Sequence, residues 1–555
     1  MADIDAIAPA VQRDDEQPKT ERTRQRTLGN VRLRNHETSE IILIPSPSKD
    51  LNDPLNWPQW YKHGIAFIIC LAMMWCNFLA AGPTIAIVRT TLDFFPHADP
   101  TTNVSAFNSS IAKVAYFFTA TALLQGTSNF FWVPMANKYG RRPVYIISYV
   151  FYLACAIWLV FEKSFAGFLA ARILLGVASG AAETIAPITI ADIYFLHERG
   201  TIMALYTASL TVGVSFGIII AGLITIDHHW RVIYQVAAAI VGFMLFLLFF
   251  CFPETAYMRD TTNLLDESSE ISNSSKPDMS EKSQVLDSDV EEALELIQRR
   301  SYWQSLRVFH GVMTEESICK MAIRPLGLIC LPPVLWAALV QSVTIGFLVV
   351  VTTDVDTAFE TGYGFQPYQV GLCFIAAIIG SVLGIPAGGR FGDLVADWLT
   401  KRNGGVREPE MRLPAILLSQ FTTPLALILF GIGIHHQLHW ICPTIGLALL
   451  NFSITQGTNV CLVYVIDAYR PVTGEITLAV MGFKSIFGFL LSFYTYPWIS
   501  HSGYDHAFGT MAGISFAIIL FWVPLYFWGK RIRHNTWNWP VVSFVHWTDD
   551  REVGE

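Results

Sequence analysis

Arg231-Val-Ile-Tyr-Gln-Val-Ala-Ala-Ala-Ile-Val-Gly-Phe-Met-Leu-Phe-Leu-Leu-Phe-Phe-Cys-Phe252 carries one charge, and that charge stands at its first residue. A helix needs about 20 apolar residues to cross the hydrocarbon core of a bilayer, and this stretch supplies them. Residues 64–88 and 507–529 read the same way, with no charge at all. The chain around them has 555 residues, of which 52% are apolar and 15% charged. Soluble domains carry about 25% charged residues, because they need polar surface everywhere.

Working outward, the apolar runs place further spans at 111–134, 143–161, 166–190 and 201–225 in the first half. The second half reads as 325–352, 367–389, 413–434, 439–463 and 474–499, followed by the span at 507–529. The fold class expected is an all-α polytopic membrane protein of twelve transmembrane helices in two six-helix bundles, residues 61–252 and 325–529. A tail (1–60), a central loop (253–324) and a second tail (530–555) complete it.

Lys and Arg in short loops set orientation. The first tail holds Arg22, Arg24, Arg26, Arg32 and Arg34, and the loop after span 2 holds Lys138, Arg141 and Arg142. The loop after span 8 holds Arg390, Lys401, Arg402, Arg407 and Arg412, and the last tail Lys530, Arg531 and Arg533. The alternate loops 353–366, 435–438 and 500–506 have no Lys or Arg. Both termini and the central loop are therefore expected in the cytoplasm, with Trp57, Trp60, Trp498 and Trp528 at the interfaces. The loop 89–110 is then outside, and its sequons at Asn103 and Asn108 are candidate glycosylation sites. The stretch 260–292 is acidic and Ser-rich and reads as disordered. At 291–310, Leu294, Ile297, Leu306 and Phe309 recur at helical spacing, which predicts an amphipathic interfacial helix or, alternatively, a loose linker.

Other classes are excluded in turn. The net charge of -8 and the lack of a basic patch interleaved with aromatics speak against nucleic acid. The nine cysteines form no C-x-x-C pair, so no metal or disulfide framework is expected. No nucleophile elbow or phosphate loop is seen, so no catalytic residue, cofactor or metal is expected. Residues 1–40 are polar and Arg-rich, unlike a cleavable signal peptide.

Local motifs refine this picture. After span 2 stands Val133-Pro-Met-Ala-Asn-Lys-Tyr-Gly-Arg-Arg-Pro143, and after span 8 Gly389-Arg-Phe-Gly-Asp393. Span 4 reads Leu169-Ala-Ala-Arg-Ile-Leu-Leu-Gly-Val-Ala-Ser-Gly-Ala-Ala182, and span 5 Gly213-Val-Ser-Phe-Gly-Ile-Ile-Ile-Ala-Gly222. Flanking blocks are Asp53-Pro-Leu-Asn-Trp-Pro58, Phe252-Pro-Glu-Thr255 and Asp467-Ala-Tyr-Arg-Pro471. Together, over about residues 50–530, they resemble the major facilitator superfamily and, within it, the fungal twelve-span drug:proton antiporter branch. Val133 and Asn137 depart from the Gly and Asp of the family's loop motif, and Ile218 and Ala221 from the Pro and Gly of its antiporter motif.

The resemblance implies gating roles for Lys138, Gly140, Arg141, Arg142, Gly389 and Asp393, and helix packing at Gly213, Gly217 and Gly222. It also implies that spans 1, 4, 7 and 10 line a cavity, which singles out Asn77, Glu183, Gln341, Asn451, Gln456 and Asn459. Charges within spans are costly and so are functional candidates, namely Arg172, Glu183 and Lys484. Arg172 precedes Glu183 by 11 residues. That is about 16 Å along a helix, so the two do not pair directly. Glu183 is the candidate proton site, Arg172 a tuning or bracing group, and Lys484 a carboxylate partner, an anion contact or a snorkelling residue.

Three functions follow from the resemblance: proton-coupled efflux of a drug or secondary metabolite, uptake of an organic cation such as a polyamine, or a nutrient sensor. The partners expected are a small-molecule solute, a proton and the lipid bilayer, with the chain a monomer. The plasma membrane is the expected location, a vacuolar or endosomal membrane the alternative. The topology is checked directly by glycan removal. Asn103→Gln with Asn108→Gln should abolish any glycosidase-sensitive gel shift, and proteolysis near residue 275 from outside intact cells would reverse the orientation.

Overall fold

The computed structural model describes residues 31–32, 50, 52–97, 104–257, 302–309, 311–314, 316–537 and 539. The acidic stretch 260–292, its serines and Asn103 lie outside the described residues. Span 1 is α1 (Gln59–Ala81), continued by a tight turn at Gly82–Ala86 and α2 (Ile87–Phe94). Span 2 is α3 (Val104–Thr127) running into α4 (Asn129–Tyr139). Spans 3 to 6 are α5 (Arg141–Phe161), α6 (Phe165–Ile193), α7 (Leu196–Asp227) and α8 (Val232–Cys251).

The second half begins with a short helix, α9 (Ile318–Leu328), and continues with α10 (Pro332–Tyr363), α11 (Pro367–Gly388) and α12 (Arg390–Arg402). Then come α13 (Leu417–His435), α14 (Ile441–Ala468), α15 (Thr473–Leu520) and α16 (Trp522–Trp537). Gly503, at φ 77°, breaks α15 into spans 11 and 12. Eleven helical stretches are long and apolar enough to cross a membrane among the described residues. The α3–α4 pair makes the twelfth span, and Lys113, Gln125, Asn129 and Asn137 make it more polar than the rest. Large apolar side chains such as Phe243, Phe246 and Leu383 point outward, as suits helices surrounded by lipid rather than water.

Span 7 differs from the sequence reading. It starts at Pro332 rather than 325, and residues 318–328 form α9 instead. Pro332 and Pro333 lack the N–H that would continue an earlier helix, so they start a new one. At its far end α10 runs to Tyr363, and the left-handed Gly364 (φ 66°) stops it. Most of the expected loop 353–366 is thus helix, and it buries Asp354 and Asp356. Asn108 likewise lies within α3 rather than in a loop. The predicted 291–310 helix falls largely outside the described residues, and only a single turn, Tyr302–Ser305, is described there. Val31–Arg32 pairs antiparallel with Val406–Arg407, which ties the first tail to the loop after span 8.

Small residues set the helix spacing. A Cβ on Gly217 would sit 2.7 Å from the Phe78 carbonyl oxygen, and one on Gly82 2.9 Å from that of Gly217. Gly213 lies closer still to the Met74 carbonyl, so α7 rides directly on α1. Gly222 faces the other half, where a Cβ would come 3.1 Å from the Pro367 oxygen. Along the same seam between halves, the Thr211 and Ser381 hydroxyls are 2.7 Å apart. Gly213→Ala should therefore cost about 1–3 kcal/mol by overpacking. Gly242→Ala, whose Cβ meets nothing nearer than Leu153 at 3.9 Å, should cost nothing. Equal melting temperatures for the two variants in detergent would refute this packing account.

Candidate functional site

Between the halves lies a cavity of about 140 Å³. Its wall draws on α1 (Asn77), α3 (Phe118, Thr119, Gln125), α6 (Glu183), α7 (Leu210, Val214), α10 (Thr352, Thr353) and α15 (Lys484, Phe489). Among the described residues, Glu183 and Lys484 are the only charged ones on that wall. They are bonded to each other, Lys484 Nζ donating to Glu183 Oε1, and are only 4% and 5% exposed. One belongs to span 4 and the other to span 11, so the ion pair joins the two halves of the molecule.

Local sequence explains how Glu183 comes to the cavity. In α6, Gly176 and Gly180 face the backbone of α3; a Cβ on Gly176 would lie 2.5 Å from the Thr121 oxygen. Close approach of two backbones needs residues without side chains, and the Gly/Ala-rich run 176–182 supplies them. Tyr206 of α7 donates its hydroxyl to the Glu183 carbonyl at 2.5 Å, which fixes that turn. On the other side, Gly126 of α3 lies against Ser485, so α15 approaches α3 closely beside Lys484.

Arg172 is apart from this pair. Its guanidinium donates to the Leu79 carbonyl at 3.0 Å and to the Tyr234 hydroxyl at 2.8 Å. It also lies over the Phe118 ring, 4.8 Å from the centroid, and Phe118 faces the cavity from the other side. Arg172 thus braces α1, α3 and α8 from behind the wall.

The neutral polar candidates divide. Asn77 is on the wall, with its amide donating to the Met73 carbonyl at 3.0 Å. Gln341 is buried in α10, away from the wall. Asn451, Gln456 and Asn459 stand on α14, which contributes no residue to this cavity. Gln456 bonds Ser419 and the Ala415 carbonyl, Asn451 the Leu447 carbonyl, and Asn459 the Gly200 carbonyl at 3.4 Å. Gln125, Thr119 and the Thr352–Thr353 pair line the cavity but were not singled out from sequence. Neutral polar residues are common in these spans, and no spacing marks the ones that face inward.

The two motif loops lie at the end of the bundle that carries the basic loops. Gly140 has φ 98°, and the Glu254 carboxylate packs against it. That carboxylate accepts from the backbone N–H of Arg141 at 2.8 Å and of Arg142 at 3.1 Å, and so caps α5. Arg141 pairs with Asp192 at 3.0 Å, and Arg142 donates to the Phe249 and Phe252 carbonyls. Lys138 donates to the Glu316 carbonyl at 3.2 Å, and Asn137 lies against Gly474 of span 11. In the second half, Asp393 binds Arg412 and lies 3.8 Å from Arg407. A Cβ on Gly389 would fall 2.8 Å from the Thr201 Cα, across the seam between halves.

The profile of the Major Facilitator Superfamily matches residues 64–490. The chain belongs to the major facilitator superfamily. This makes it a multi-pass membrane protein from a family of secondary transporters that carry small-molecule solutes. Similar proteins include an uncharacterised MFS-type transporter of Schizosaccharomyces pombe, 26% identical over 90% of this chain and 89% of its own length. Protein HOL1 of Saccharomyces cerevisiae is 24% identical over 91% and 92%, and the efflux pump radE of Floropilus chiversii 24% over 88% and 84%. Among solved structures, the proton:xylose symporter XylE superposes with a TM-score of 0.55 at 14% identity, covering 85% of this chain and 97% of its own.

The ion pair makes a checkable demand. Removing one partner of a buried pair leaves an uncompensated charge, which costs about 3–5 kcal/mol. Lys484→Met should therefore destabilise the detergent-solubilised protein strongly, and adding Glu183→Gln should recover most of the loss. Additive losses in this double-mutant cycle would mean that the two side chains do not interact.

Proposed function

We propose that this major facilitator protein exports a small organic solute, a drug or secondary metabolite, in exchange for protons by alternating access. In this reading both termini and the basic loops are cytoplasmic. The observation that carries it is the Glu183–Lys484 pair on the wall of the central cavity. A carboxylate buried there is stable while the ammonium opposes it, or when it holds a proton. Protonation removes the attraction that joins span 4 to span 11. The two halves are then free to part, and solute exchange can follow. On return, loss of the proton restores the pair. A proton on Glu183 and a closed pair exclude one another, and this exclusion links proton movement to the change of access.

The wall suits an amphipathic molecule: Phe118, Phe489, Leu210 and Val214 offer apolar contact, and Asn77, Gln125 and the threonines a few hydrogen bonds. Glu183 also favours a second reading, uptake of an organic cation, because a cationic group can take the place of Lys484 on the carboxylate. Direction is not built into the site, since the same cycle runs both ways.

Gln mimics the protonated, uncharged Glu and so freezes the site in one of its two states. Glu183→Gln should abolish the stimulation of flux by an imposed pH gradient in proteoliposomes, while solute exchange between equal concentrations survives. Weaker binding of cationic but not neutral solutes by this variant would select the cation reading. Full gradient-driven transport by Glu183→Gln would remove Glu183 from the coupling mechanism.

A further inference from the structure

Of the nine cysteines, five are buried and two half-buried; the two exposed ones, Cys319 and Cys330, bracket one helix. That helix, α9, precedes span 7 at the end of the bundle that carries the basic loops. Cys319, Ile323 and Leu326 follow each other at spacings of four and three, which puts them on one helix face. Cys330 continues the row four residues on, in the turn before Pro332. The apolar members of this row are turned outward, Ile323 53% and Leu326 60% exposed.

The opposite face holds the helix in place. Met321, Pro325 and Leu328 are buried, and so is Arg324, which pairs with Glu316 at 2.5 Å and approaches Glu475 of span 11 at 3.7 Å. The outward row is therefore fixed and does not turn inward. Upstream of it, Val308, Phe309 and Val312 are exposed as well. A row of apolar side chains beside the first residues of a membrane span is suited to the acyl boundary of the bilayer, where an amphipathic helix buries its apolar face. Thiols in such a row are placed at the depth where an acyl chain bound to sulfur would enter the lipid.

We propose that Cys319 and Cys330 are S-acylation sites, and that their acyl chains anchor α9 to the cytoplasmic leaflet. In the reaction each thiolate attacks the carbonyl carbon of a long-chain acyl thioester donor. A new sulfur–carbon bond forms, the donor's sulfur–carbon bond breaks, and the departing thiolate takes up the proton released by the cysteine; nothing is oxidised or reduced. The anchor would bear on transport because α9 is tied through Arg324 to Glu475, in the first turn of the span that carries Lys484. The proposal rests on the cytoplasmic placement of the basic loops.

The test uses the full-length protein expressed in a eukaryotic host. Free thiols are blocked, thioesters are cleaved with hydroxylamine, and the released thiols are tagged with a polyethylene-glycol maleimide. Wild type should show hydroxylamine-dependent shifts of one and two tags. Cys319→Ser and Cys330→Ser should each remove one tag and the double variant both, whereas Cys251→Ser, at the end of span 6, should leave the pattern unchanged. No hydroxylamine-dependent shift in wild type, or a shift that persists in the double variant, overturns the proposal. A membrane-impermeant maleimide on intact cells separates the two readings. Labelling of Cys319 or Cys330 from outside refutes the orientation. No outside labelling together with no acyl shift refutes acylation alone.

Discussion

A buried carboxylate and a buried ammonium, one from each half of the chain, share the wall of the central cavity. Neither is stable alone in a medium of low dielectric, because desolvation of a single charge costs several kcal/mol. The halves are therefore held together at this point; in the cycle we propose, they part when the carboxylate takes up a proton and the ammonium is released toward water or solute. Two arrangements with nothing stable between them are the requirement for a switch. The transport cycle proposed here is that requirement applied to two six-helix bundles.

The rest of the structure keeps this constraint in place. Glycine contacts bring α6 onto α3 and α7 onto α1, so the first bundle presents Glu183 on a rigid wall. Arg172 stiffens the same wall from behind through Leu79, Tyr234 and the Phe118 ring. At the basic end Glu254 caps α5, and Asp393 gathers Arg407 and Arg412 beside the seam. Glu254 stands at the N-terminus of α5, where the helix dipole favours a carboxylate, whereas Arg407 and Arg412 are buried and are compensated by Asp393. The pair at the cavity lies in the middle of its spans, away from any helix end, where the two halves meet.

The fold was legible because lipid imposes a simple rule on sequence: long uncharged helices, with Lys and Arg collected in alternate loops. Spans 3 to 6 appear within a few residues of where their apolar runs lie. Span 7 was displaced because apolarity alone does not separate an interfacial helix from a spanning one; Pro332 and Pro333 decided the boundary. Its far end ran on past Asp354 and Asp356 because buried carboxylates do not break a helix that packing sustains. At the site, Glu183 and Lys484 were legible as rare charges in apolar spans, but their bond was not, since 301 residues separate them. The asparagines and glutamine of α14 show the converse. Each donates to a backbone carbonyl of the protein itself, and polarity in a span does not reveal which way the side chain faces.

The central claim is that protonation of Glu183 lets the halves separate. It is tested most directly by pulsed electron spin resonance on spin labels at positions 60 and 401, both exposed and on different halves, with Cys319 and Cys330 replaced by serine. In lipid nanodiscs, acidification should shift the distance distribution of the otherwise unaltered protein, whereas with Glu183→Gln the distribution should be the same at every pH. An equal shift in both proteins would contradict the claim, since the halves would then answer to protons bound elsewhere.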